Sequence, residues 1–172
     1  MVVRYFAFGL PILFCCSCVH PSYKFEVNSD GEPILDRSLY TFNKPLNEND
    51  FKTIDTAAYY IETFAGLDSN EDQRANPRIY KFHKDGYFKK TSYMYFNRFD
   101  KVRGKNSVYY GGRYYTDKNV IFMESFFVIG PTSKRFSKVI SKGVIENDTI
   151  IIDFFGTTHK YVGKTYSEIF SK

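Results

Sequence analysis

The run VYYGGRYYTDKNVIFMESFFVI, residues 108–129, decides the fold. Tyr, Phe, Val and Ile fit a pleated, half-buried surface, and the polar trio Asp117-Lys118-Asn119 supplies a turn that tolerates positive φ. The run therefore predicts two strands, 108–115 and 120–129, joined as a hairpin. Along the second, Val120, Phe122, Phe126 and Val128 share one face, and Ile121, Met123, Phe127 and Ile129 share the other. Both faces are apolar. Such a strand needs cover on one side and a closed interior on the other, which favours a barrel or half-barrel over an open sheet with one wet face.

The plan repeats on either side. Upstream, Lys84-Asp85-Gly86 joins a strand at 78–83 to one at 87–96, Asp-Gly being a strong hairpin signal. Downstream, Gly130-Pro131 breaks the pattern, 136–145 connects through Asn147-Asp148 to 149–155, and Gly156 begins the turn into 159–162. Residues 51–64 carry two signals. Phe51, Ile54, Ala58 and Ile61 fit helical spacing, whereas Tyr59 to Phe64 is a run of high β propensity; a turn through Asp55 into a first strand is the favoured reading. The stretch 67–77 is a polar loop, and 166–170 is a short helix or edge strand. The whole is an all-β, mainly antiparallel up-and-down meander over 51–172.

Composition agrees. The 172 residues suffice for one domain with a real core, and 15 Tyr and 18 Phe without Trp tilt toward strands. A formal charge of +5 is ordinary solubilising charge for this length.

The N-terminus speaks about address. Residues 1–4 are a short basic start, and 5–14 form an apolar run too short to span a bilayer. Cys15, Cys16 and Cys18, the three cysteines of the chain, follow directly. Leu13-Phe14-Cys15-Cys16-Ser17-Cys18 resembles a bacterial lipobox, which implies cleavage after residue 17 and acylation of Cys18, with Cys16 as the alternative. The organisation is then a signal peptide at 1–17, a tether at 18–50 rich in Pro, Gly, Asn and Asp, and the β-domain at 51–172. Within the tether, Ile34, Leu35, Leu39, Tyr40 and Phe42 could dock on the domain. Acyl chains would hold the protein on a membrane at the bacterial cell envelope, at the outer membrane or the periplasmic face.

Three phrases carry a resemblance: Tyr80-Lys81-Phe82 with Asp85-Gly86-Tyr87, Gly112-Arg113-Tyr114-Tyr115 with Asn119-Val120-Ile121, and Gly143-Val144-Ile145 with Asn147-Asp148-Thr149-Ile150. Over residues 54–162 the chain resembles the lipocalin-like (calycin-type) domains of small envelope lipoproteins of Bacteroidota-type bacteria. It departs from true lipocalins in lacking the Gly-x-Trp signature. The resemblance implies an up-and-down barrel or half-barrel; a cavity for a small apolar or amphipathic ligand is the natural function of such a fold, with Phe88, Met94, Tyr110, Phe122, Phe126, Ile152 and Phe154 on the apolar face of the meander as candidate lining. The alternative is a structural or accessory envelope protein acting through protein contacts.

Other chemistries find no pattern. The sequence has no HExxH, nucleophile elbow, Gly-rich phosphate loop or metal-ligand quartet, so no catalytic residue, metal site or cofactor is expected. Asp85, Asp117 and Asp148 sit in turns, where local hydrogen bonding explains them; Asp153 points outward from its strand, and His83 and His159 sit at strand ends. Basic clusters at Arg98, Lys101, Arg103 and Lys105, and at Lys134, Arg135, Lys138 and Lys142, read as solvated loops and faces. Export argues against nucleic acid as a partner.

Overall fold

Eight consecutive strands close on themselves. The computed structural model describes residues 22–29, 31–43, 46–64, 70–96, 103–129, 135–154 and 156–171. Three short strands come first, β1 (Ser22–Lys24), β2 (Glu26–Val27) and β3 (Pro33–Ile34), followed by helix α1 (Glu48–Thr53). The barrel strands are β4 (Tyr59–Thr63), β5 (Arg78–Phe82), β6 (Tyr87–Ser92), β7 (Gly111–Asp117), β8 (Val120–Val128), β9 (Arg135–Glu146), β10 (Thr149–Phe154) and β11 (Thr157–Lys164). Each pairs antiparallel with the next, and β11 returns to β4 from Lys160↔Thr63 to Lys164↔Tyr59. The meander is therefore a closed, lipocalin-like barrel, and the half-barrel alternative falls away.

The turns behave as their residues dictate. Gly86 (φ +81) closes β5 to β6, while Lys118 (φ +55) and Asn147 (φ +56) take the left-handed position in the two-residue loops after Asp117 and Glu146. Several of the predicted boundaries move. The first strand of the central hairpin begins at Gly111 instead of residue 108, at a point where β6, β7 and β8 approach closely. A Cβ on Gly112 would lie 1.9 Å from the Glu124 carbonyl oxygen, and one on Gly111 would lie 2.2 Å from that of Phe88. The strand predicted over 87–96 stops at Ser92, and Tyr93–Phe96 form a single helical turn, α3. Residues 51–64 contain both competing signals in series: α1 ends at Thr53, and the strand starts at Tyr59. The mutual bonds of Asn47 and Asp50 (2.7 and 3.2 Å) start α1, and Thr165 with Glu168 forms a capping box for α4 (Tyr166–Phe170).

Hydrophobic burial is organised in three places. Inside the barrel, one end is filled by Tyr60, Phe82, Tyr114, Ile121, Ile145 and Ile150, with Ile54, the residue after α1, among them; we call this end the floor. Outside, Tyr110 just before β7, Phe126 on β8 and Phe136 on β9 lie under Leu35 and Tyr40 from the N-terminal stretch. Within the segment read as a tether, residues 22–29 and 31–43 thus lie along the barrel as a strap, with β1 paired to β9 at Ser22↔Ser137. The third cluster seats Phe96 of α3 and Ile169 of α4 on Ile79 of β5.

Candidate functional site: the mouth of the barrel

Opposite the floor, the interior changes chemistry. On four neighbouring strands, the inward position next to a buried aromatic is a polar or charged residue: Glu62 after Tyr60, Arg78 before Tyr80, Lys90 after Phe88, and His159 before Tyr161. Antiparallel alternation brings all four to the same end, because β4 and β6 finish where β5 and β11 begin. The opposite wall of the mouth holds Ser125, Phe127, Val139, Ser141 and Phe154.

Glu62 is buried and already engaged. One carboxylate oxygen lies 2.7 Å from His159 Nδ1, and the other accepts the Arg78 backbone N–H at 3.1 Å. His159 thereby directs its second ring nitrogen away from the pair, and no protein partner for that nitrogen occurs among the described residues. Lys90 is different. Its Nζ faces the rings of Tyr80 (5.5 Å) and Phe154 (5.6 Å), and no carboxylate of the described residues lies within ion-pair distance. Burial lowers the Lys90 ammonium to about 8; the Arg78 guanidinium pushes the same way, and Glu62 opposes it. Burial also pushes the Tyr161 phenol up to about 12 and holds that of Tyr80 well above its ordinary value. Ser92, the next inward position after Lys90, has its buried hydroxyl without a protein partner among the described residues.

These groups line two recesses. One, of about 450 Å³, is bounded by Lys90, Ser125, Phe127, Val139, Ser141 and Phe154. The other, of about 530 Å³, is bounded by Glu62, Phe64, Arg78, Ser92 and His159, with helix α2 (Glu71–Ala75) at its edge. The wall between β9 and β10 is also incomplete. Their pairing ends at Ile152↔Gly143, and a cleft of about 540 Å³ follows, in which Val139, Ser141 and Phe154 line both the cleft and the mouth.

The predicted lining residues scatter. Phe88 and Ile152 point inward but are packed into the floor cluster, and Phe154 stands in the mouth. Phe122 points outward and stacks on Tyr115 at 4.8 Å. Phe126 lies in the outer cluster against Tyr40 at 5.5 Å, though it also borders the Lys90 recess. Tyr110 joins the same outer cluster, with its hydroxyl 2.7 Å from His83 Nε2; Met94 is 62% exposed on α3. The inward residues of β8 are instead Ile121, Met123, Ser125 and Phe127, the other parity. The cause is the strap. It makes the outer face as apolar as the inner one, so alternation alone cannot tell them apart. Cys16 and Cys18 lie outside the described residues, as do Arg98, Lys101 and Lys134 of the basic clusters. In the described part of the 97–107 loop, Arg103 pairs with Glu32 at 2.8 Å and Lys105 pairs with Asp85.

Sequence reasoning missed Glu62, Arg78, Lys90, Ser92 and His159 as a group. A usable signal existed: Glu62, Arg78, Lys90 and His159 are each two positions from a core aromatic, on the same face, at the same end of the strand, and Ser92 is the next such position after Lys90. No family model, curated protein or solved structure matches the chain.

Proposed function

We propose that this barrel is a binding module for a small amphipathic molecule, carried at the bacterial cell envelope on a lipid attached to Cys18. The observation that carries the reading is the division of the interior. The floor is filled by its own side chains, whereas the mouth keeps open space between an aromatic wall and polar groups that lack a full set of partners. An interior serving only as structure would be filled throughout, as small barrels usually are.

Native mass spectrometry of the purified protein tests it. A reproducible bound mass, lost on denaturation and reduced when Ser141→Trp fills the mouth, is the expected outcome. A protein that stays empty even after incubation with medium-chain amphiphiles favours action through protein contacts instead. The anchor is supported by the lipobox-like run before Cys18. Metabolic labelling with an alkyne fatty acid marks the wild type and is lost in Cys18→Ala; label that survives in that variant and disappears in Cys16→Ala moves the attachment to Cys16.

A further inference from the structure

The binding reading leaves the polar end of the ligand open, and the charges of the mouth address it. Lys90 lines one recess of the mouth, and Arg78 and Asp72 line the other beside the buried carboxylate of Glu62. That carboxylate already accepts from His159 and from a backbone N–H. It is also not within ion-pair distance of Lys90. Among the described residues Lys90 therefore holds an ammonium beside aromatic rings with no anion at ion-pair distance, an arrangement that costs free energy until an anion arrives. The neighbouring wall is apolar, through Phe127, Val139 and Phe154, and Phe127 is 48% exposed there although it points inward. A recess of about 450 Å³ with a cation on one side and hydrocarbon on the other has room for one chain and one head group.

We propose that the ligand is a single-chain amphiphile with an anionic head group, and that Lys90 receives that head group while the chain lies against Phe127, Val139 and Phe154. The proposal rests on the binding reading above and sharpens it. An anion beside Lys90 stabilises its protonated form, so binding takes up a proton once the free ammonium begins to titrate. The groups facing Lys90 are Arg78 and Tyr80 on β5, Glu62 on β4, and His159 and Tyr161 on β11. The two phenols stay protonated across the window that matters, because burial holds both well above it.

The test compares decanoate, below its micelle concentration, with decanol on the wild-type protein, Lys90→Met and Lys90→Arg by calorimetric titration. On the wild type at pH 7, decanoate should bind about tenfold or more tightly than decanol, the scale of a charge-assisted hydrogen bond. That preference should vanish in Lys90→Met, which keeps the buried stem, and persist in Lys90→Arg. Between pH 8 and pH 9.5 the affinity for decanoate should fall in the wild type as Lys90 loses its proton, while decanol binding and Lys90→Met stay flat. Equal affinity for decanoate and decanol, or a preference that survives in Lys90→Met, overturns the head-group assignment and leaves the cavity reading standing. Failure of both probes to bind overturns the cavity reading and this proposal together.

Discussion

Glu124 shows how one residue can fix the position of a whole segment. It is a glutamate at 0% exposure in the middle of an apolar strand face, and its setting explains why it remains charged. Its carboxylate lies 2.9 Å from Lys138 Nζ and accepts from the Thr41 N–H (2.8 Å), the Thr41 hydroxyl (2.9 Å) and the Phe42 N–H (3.0 Å). Burial alone would raise this carboxyl; Lys138 and the two backbone donors outweigh it and hold it below the ordinary carboxylate range. Glu124→Gln keeps the shape but leaves Lys138 partly buried beside a neutral group, which should cost about 3 kcal/mol, measurable as a shift in the urea midpoint. The sign with pH follows. A lowered folded-state value means that the stabilisation is present above the unfolded value and lost as pH falls through the folded one. Wild-type stability should therefore drop below about pH 4.5 more steeply than that of Glu124→Gln. Parallel acid-unfolding curves for the two proteins would remove Glu124 from the account.

At the scale of elements, legibility followed the turns. Asp85-Gly86, Lys118-Asn119 and Asn147-Asp148 announce hairpins through local chemistry that needs no tertiary context, and each turn joins two paired strands as the sequence predicts, although the far ends of β6 and β7 fall short of the predicted bounds. The inward and outward faces were not legible on β8, because Phe122 and Phe126 on one side and Met123 and Phe127 on the other are equally apolar. Only the strap decides the matter, and it was itself hard to read. Its strands β1, β2 and β3 are two or three residues long, too short to show a period, and what orders it is distant: Leu35 and Tyr40 on the outer cluster and Glu124 some eighty residues away. The mouth was obscured for another reason. Lys89 and Lys90 are adjacent and chemically identical, yet Lys89 turns outward beneath Phe96 (4.6 Å) while Lys90 turns into the barrel. Only the register against Lys81 and Tyr80 on β5 separates them.

For the whole molecule, the closed sheet and the seam between β9 and β10 predict where motion resides. Closure depends on β4 meeting β11 across about a hundred residues of chain, so the floor must be assembled by non-local contacts and should open only when the barrel does. The amides of Ile121, Ile145 and Ile150, whose side chains fill the floor, are then expected to exchange with solvent only through global unfolding. The mouth has no such constraint. After Ile152↔Gly143, β10 leaves β9, and β1 covers β9 only at residues 135–137, so alternate amides over 138–142 face an edge without a strand. Hydrogen exchange followed by NMR should show those amides, together with the Phe127 and Val128 end of β8, exchanging through local opening at least about 2 kcal/mol below the global value. An anionic amphiphile seated between Lys90 and Phe154 would bridge β6 to β10 beside the seam, and it should slow exchange at 138–142 while raising the floor amides only by its binding free energy. Uniform protection in the free protein would mean that the wall is closed; if so, the mouth would have to admit its ligand from the end of the barrel alone.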